Sequence, residues 1–168
     1  MNENAAMRRS ALAWLGLSAV VIVLDQITKA IVLQVLEPYV PKPVIPGLFN
    51  WTLAFNTGAA FSFLADQEGW QRWLFTALAV VVSGILVRWL ARTPRGDWRT
   101  ALPLALVIGG ALGNLIDRVR SGHVTDFIQV YWRDWYFPSF DVADSAISVG
   151  AVLLVWFGLF HRGQRAEG

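Results

Sequence analysis

Apolar residues in this chain fall into four long runs, at 11–36, 70–90, 101–119 and 141–160. A helix needs about 20 apolar residues to cross a bilayer, so each run predicts one membrane-spanning helix. The first starts after Arg8-Arg9, as a secretory leader does, but it is too long for a leader core and no small-residue cleavage site follows it. Asp25 and Lys29 interrupt its far half. Their spacing puts them on one helix face, where they can pair.

The segments between the runs read differently. Pro38, Pro41, Pro43 and Pro46 exclude a helix after the first run. Leu48 to Asn56 then carries aromatic and β-branched residues with partial alternation, a strand signal, and Asn56-Thr57-Gly58 marks a turn. A small sheet on the membrane surface is expected here. Arg120 to Phe140 is a second non-helical stretch, with Tyr131, Trp132, Trp135 and Tyr136 as interface residues. Phe61 and Phe63 read as packing or membrane contacts, and His123 as a surface loop residue. The third run carries Gly109, Gly110 and Gly113, a small-residue face for close helix contact. Its far end carries Asn114, Asp117 and Arg118 as a polar stripe.

Composition agrees with a membrane protein. Of the 168 residues 55% are hydrophobic, mean hydropathy is +0.47, and nine Trp suit two interfaces. The expectation is an all-α membrane protein: four transmembrane helices and a small extramembrane β-sheet on the outer face, one domain over 1–168. Cysteine is absent, which removes disulfides and thiol chemistry together. Two His are too few for an ordinary zinc site, so neither metal nor cofactor is expected. A net charge of +2 makes no case for nucleic acid.

Charge placement sets orientation. Arg8, Arg9, Arg88, Arg92, Arg95, Arg99, Arg162 and Arg165 are eight of the fourteen basic residues. All lie at the two termini, at the exit of the second run or in the turn that follows it. The positive-inside rule puts those segments, and both termini, in the cytoplasm. Asp25, Asn56, Asn114, Asp117, Arg118, Asp126, Asp141 and Asp144 then converge on the outer leaflet.

Ionisable groups cost several kcal/mol at membrane depth, so they mark candidate sites. Asp126 and Asp144 could form a pair that shares one proton and activates water for amide hydrolysis; Asp144, near a helix N-terminus, is favoured as the initial base. Residue types alone leave another reading open, in which each acid only caps or pairs locally. Asp25 with Lys29, and Asp117 and Arg118 with neighbours, read as structural ion pairs. Asn56 and Asn114 could hold substrate backbone or satisfy helix and loop ends. Asp141 reads as a helix N-cap. A proton-coupled transporter or transporter subunit is the alternative from another class, and a structural assembly protein is a third.

Five ordered blocks carry a family resemblance: Asp25 to Lys29; Asn56 to Ser62; Gly109 to Arg118; Val124 to Phe127; Phe140 to Ser145. Together they resemble the bacterial lipoprotein signal peptidases, or signal peptidase II, an intramembrane aspartic peptidase family. The resemblance implies that Asp126 and Asp144 are the catalytic dyad, with Asp25, Asn56, Asn114, Asp117, Arg118 and Asp141 in substrate-binding or structural support. It implies removal of the signal peptide from diacylglyceryl-modified prolipoproteins, with cleavage before the lipidated cysteine, in the bacterial inner membrane. It also implies inhibition by the cyclic peptide globomycin; a monomer is the expected working form. One position departs: Asp141 stands where the family usually has Asn.

Overall fold

The computed structural model describes residues 10–58 and 70–160. Ala59 to Ser62 of the second block, Phe63, and the terminal Arg8, Arg9, His161, Arg162 and Arg165 lie outside the described residues.

The four spans are present. A short 3-10 turn at Ala11–Trp14 leads into α1 (Leu15–Val35), followed by α2 (Trp70–Arg92), α3 (Trp98–Ser121) and α4 (Val142–Phe160). All four are long and apolar enough to cross a membrane. α1 has its backbone bonds closed within the helix, and its Val20, Val23, Leu24, Ile27 and Ile31 are about half exposed, a face suited to lipid. α3 is the central helix: 56% of its apolar window is buried, against 11% for α2 and for α4.

Glycine makes that central position possible. A side chain on Gly109 would strike Ser18 and Val21 of α1, one on Gly110 the Ala143 backbone of α4, and one on Gly113 the Asp25 carboxylate. Lipid tails are as apolar as Leu, so close packing and hydrogen bonds drive helix association here. Ser18 Oγ, which donates to the Ala105 carbonyl at 2.7 Å, is one such bond.

The extramembrane part is a four-stranded antiparallel sheet in the order β1 (Lys42–Ile45), β2 (Phe49–Asn56), β3 (Val124–Trp132), β4 (Trp135–Tyr136). Pro43 fits β1 because that strand is an edge. The segment read from sequence as an aromatic loop thus contains the strand β3, paired with β2 from Phe49↔Val130 to Asn56↔Val124. Val32, Leu53 and Phe127 form the core between α1 and the sheet.

α3 is joined to β3 by a tight stop. Asp97 caps its start, accepting from the Thr100 amide at 3.2 Å. Gly122 ends it at φ +83° with its N–H on the Arg118 carbonyl at 3.1 Å. β3 begins two residues later. At the other end of the sheet, Phe140 pairs with Ile128 in both directions, at 2.9 and 3.0 Å. That ladder fixes the start of α4 beside the middle of β3.

Candidate active site

The polar cluster is built around one ammonium group. Lys29 Nζ lies 2.8 Å from Asp25, 2.9 Å from Asp117 and 2.7 Å from Asp141, and it donates to Asn114 Oδ1 at 3.2 Å. Asp25 and Lys29 pair one turn apart, as their spacing implies. Asp117 does not pair with its neighbour Arg118. It is held by Lys29, by Gln26 Nε2 at 2.9 Å and by the Thr125 amide at 3.1 Å. Buried charges persist where they are paired and hydrogen-bonded, and these side chains meet both conditions.

The same network anchors the first turn of α4. Asp25 Oδ1 accepts from the Ala143 amide at 3.1 Å. Asp141 Oδ1 accepts from the Asp144 amide at 2.7 Å, the N-cap its position suggested. Two of the orphan N–H groups of that helix end are thereby satisfied. Asp144, in this first turn, accepts from Asn114 Nδ2 at 2.8 Å. Arg118 stacks over Phe75 at 5.4 Å from its ring and acts electrostatically on both Asp144 and Asp126.

Asp126 comes from near the start of β3 and is 2% exposed. Asn56, across the β2–β3 ladder, hydrogen-bonds its side chain and turns its own oxygen to the Gly58 amide at 2.9 Å. Burial, then the charges of Asp141 and Asp144, push Asp126 up to about 8. Its Oδ1 is buried with no hydrogen-bond partner among the described residues. Burial and Asp144 also push Asp141 up, against the pull of Lys29 and the cap bond.

The decisive distance is between the acids. Asp126, Asp141 and Asp144 each offer a carboxylate oxygen, and these oxygens lie within 4.8 Å of one another. The residues singled out from sequence are therefore one assembly: Asp25, Asn56, Asn114, Asp117, Arg118, Asp126, Asp141 and Asp144 are linked by bonds, ion pairs or charge. His123 stands apart, with its ring against Phe55 at 4.6 Å. Three carboxylates could also hold a cation, but the Lys29 ammonium already stands 2.7 Å from Asp141, and the Asn114 amide occupies one oxygen of Asp144 with a donor.

Sequence reasoning underrated two residues. Lys29 is the hub rather than a local partner of Asp25, and Gln26 braces Asp25 and Asp117 together. The available signal was a charge count: three acids on separate segments converge on one leaflet with a single Lys in reach.

A cavity of about 270 Å³ opens between α1 and the sheet, lined by Thr28, Ile31, Val32, Val35, Leu36, Trp51 and Phe127. Neighbouring strand residues face opposite ways, so the space that Phe127 lines is not the one Asp126 faces.

Known proteins agree with this arrangement. The family described as Signal peptidase (SPase) II matches residues 17–160. A lipoprotein signal peptidase of Xanthomonas campestris pv. campestris (strain 8004) is 63% identical, over 94% of this chain and 94% of its own length. One from Xylella fastidiosa (strain M12) is 58% identical over 90% of each. A bacterial membrane enzyme solved by the in meso method at 2.3 Å superposes with a TM-score of 0.79 at 28% identity, covering 93% of both chains. A second, at 1.9 Å, gives 0.76 at 29% identity, covering 88% of this chain and 92% of that one. With four spans, a buried acid cluster at one end of them, and relatives of this closeness along nearly its whole length, the chain belongs to the signal peptidase II family of membrane peptidases.

Proposed function

We propose that this peptidase removes signal peptides from diacylglyceryl-modified prolipoproteins by cutting directly before the lipidated cysteine, and that Asp126 and Asp144 activate the water. The observation that carries the dyad is the approach of their carboxylate oxygens to within 4.8 Å. Two acids that close share a proton, because both cannot ionise together.

The surroundings divide the roles. Asp144 lies in the first turn of α4 and already accepts a hydrogen bond from Asn114 Nδ2 at 2.8 Å, with the Arg118 guanidinium acting on it, as suits a carboxylate that accepts a proton. Asp126 is buried with a raised proton affinity. Asp144 therefore takes a proton from water as the oxygen attacks the scissile carbonyl carbon, while Asp126 donates its proton to the carbonyl oxygen. The tetrahedral diol then collapses. Asp126 recovers a proton from one hydroxyl, Asp144 delivers its proton to the departing nitrogen, and the C–N bond breaks. The dyad ends with the single proton it began with.

A lipid-anchored substrate reaches such a site sideways from the bilayer. The positive-inside rule puts the Arg-rich turn after α2 in the cytoplasm, so the acid cluster, at the opposite helix ends, faces the outer side of the inner membrane. One chain supplies both acids, so a monomer suffices. Globomycin-type cyclic peptides are expected to compete for this site.

The test is release of signal peptide from a purified diacylglyceryl prolipoprotein in detergent. Wild type should cleave in the presence of a chelator, and Asp126→Asn and Asp144→Asn should each lose at least a thousandfold in rate while remaining folded. Near-normal cleavage by either variant would rule out the dyad.

A further inference from the structure

Asp141 is the third acid of the cluster, and the proton transfers above leave it unused. It is fully buried. Its oxygens have separate partners: Oδ1 accepts the Asp144 amide at 2.7 Å, and Oδ2 lies 2.7 Å from Lys29 Nζ. The ammonium beside Oδ2 and the amide hydrogen on Oδ1 both favour the ionised form, against the burial that pushes Asp141 up. That charge stands within 4.8 Å of oxygens of both dyad acids. Asp25 and Lys29 of α1, Asp117 and Arg118 of α3, Asp126 of β3 and Asp144 of α4 are the charged groups around it. Lys29 is shared between Asp141 and two of those acids, Asp25 and Asp117, so its charge is divided.

We propose that Asp141 is a positioning residue with two separable actions: its cap bond holds Asp144 in the first turn of α4, and its Lys29-tethered charge sets the pH at which the Asp126–Asp144 pair gives up its shared proton. The inference rests on the dyad reading. A negative neighbour makes loss of a proton harder. The charge of Asp141 is the largest contribution after burial to the upward push on Asp126. Removing that charge must let the proton go at lower pH.

Asn and Ser both accept an amide hydrogen at an N-cap and carry no charge, so Asp141→Asn and Asp141→Ser keep the first action and delete the second. The measurement is kcat/KM for a diacylglyceryl prolipoprotein across pH 5 to 10 with the full chain in detergent. A bell-shaped profile reports the free enzyme's acid and base. In both variants the alkaline limb should move to lower pH by about one unit, a change that a purely structural role would not produce. An alkaline limb unmoved in either folded variant would overturn the proposal. So would failure of both to fold, since the charge would then be a folding requirement. If wild type itself does not process the substrate, the dyad reading falls first; if wild type cleaves and the limb stays put, only the role of Asp141 falls.

Discussion

Asn114 joins Lys29 to Asp144: its amide nitrogen donates to Asp144 Oδ1 at 2.8 Å, and its oxygen accepts from Lys29 Nζ at 3.2 Å. Only this orientation of the amide puts a donor on the carboxylate and an acceptor on the ammonium. Asn114 is therefore the wire between the charge hub around Lys29 and the proposed dyad. Asn114→Ala deletes a hydrogen bond to an ionised group, about 1.5–3 kcal/mol. The expected outcome is a fall in kcat of about 10- to 100-fold, with a smaller change in KM. Asn114→Asp sets a further carboxylate against Asp144 and should be worse. An Asn114→Ala enzyme with wild-type kcat would place Asp144 under some other restraint.

A second expectation concerns stability. Asp126 ordinarily titrates near 3.8 and is raised to about 8 in the folded chain. Between those values the native state holds a proton that the unfolded chain has released, so Asp126 makes stability fall as pH rises through that window. Above it the loss is complete. Asp126→Asn removes the titrating group. Its melting temperature in detergent should decline less than that of wild type between pH 5 and 9, and should exceed it at pH 9. Parallel declines would mean that Asp126 is not the acid whose proton is retained. The same substitution is expected to abolish cleavage, which would make Asp126 a site where stability is given up for chemistry.

Lys29 provides a third. It is the cation for Asp25, Asp117 and Asp141 at once. Lys29→Met leaves three buried acids without it, and losing one partner of a buried pair costs about 3–5 kcal/mol. The variant should melt far below wild type or fail to accumulate. Lys29→Met combined with Asp25→Asn, Asp117→Asn and Asp141→Asn removes the stranded charges and should recover part of that loss, measured as folded yield and melting temperature. A Lys29→Met single variant with wild-type stability would mean that the hub contributes little.

The sequence was informative where the bilayer imposes a rule. Length and apolarity mark the four spans, whose limits shifted by only a few residues, because every backbone group in lipid must bond within its own segment. β2 was legible from partial alternation. β3 was not: Val124, Thr125, Asp126 and Phe127 are all buried, so no period of two survives, and the partner strand lies beyond two intervening helices. Of the site, the Asp25–Lys29 pair and the Asp141 cap are local and could be read from spacing. The Lys29 hub joins three separate segments, which no local pattern encodes. The proximity of Asp126 to Asp144 depends on the Phe140–Ile128 ladder, again a contact between distant parts.

The glycines of α3 allow a paired test in which position, not residue type, decides the result. A Cβ on Gly113 would lie 2.7 Å from Asp25 Oδ2 and 3.4 Å from Ala143 Cβ. Asp25 cannot retreat freely, because its oxygens hold Lys29 and the Ala143 amide at the start of α4. Gly113→Ala should therefore cost about 1–3 kcal/mol, as overpacking does, and should lower kcat as well, since the displaced acid anchors the turn that carries Asp144. Gly84, in the middle of α2, meets nothing within 4 Å. Gly84→Ala adds a methyl facing open space and gains helix propensity of up to about 1 kcal/mol, so melting temperature should hold or rise and cleavage should be unaffected. Melting curves and cleavage rates for the two variants in one detergent make the comparison. Equal effects at the two positions would contradict the close contact between α3 and α1 on which the whole cluster depends.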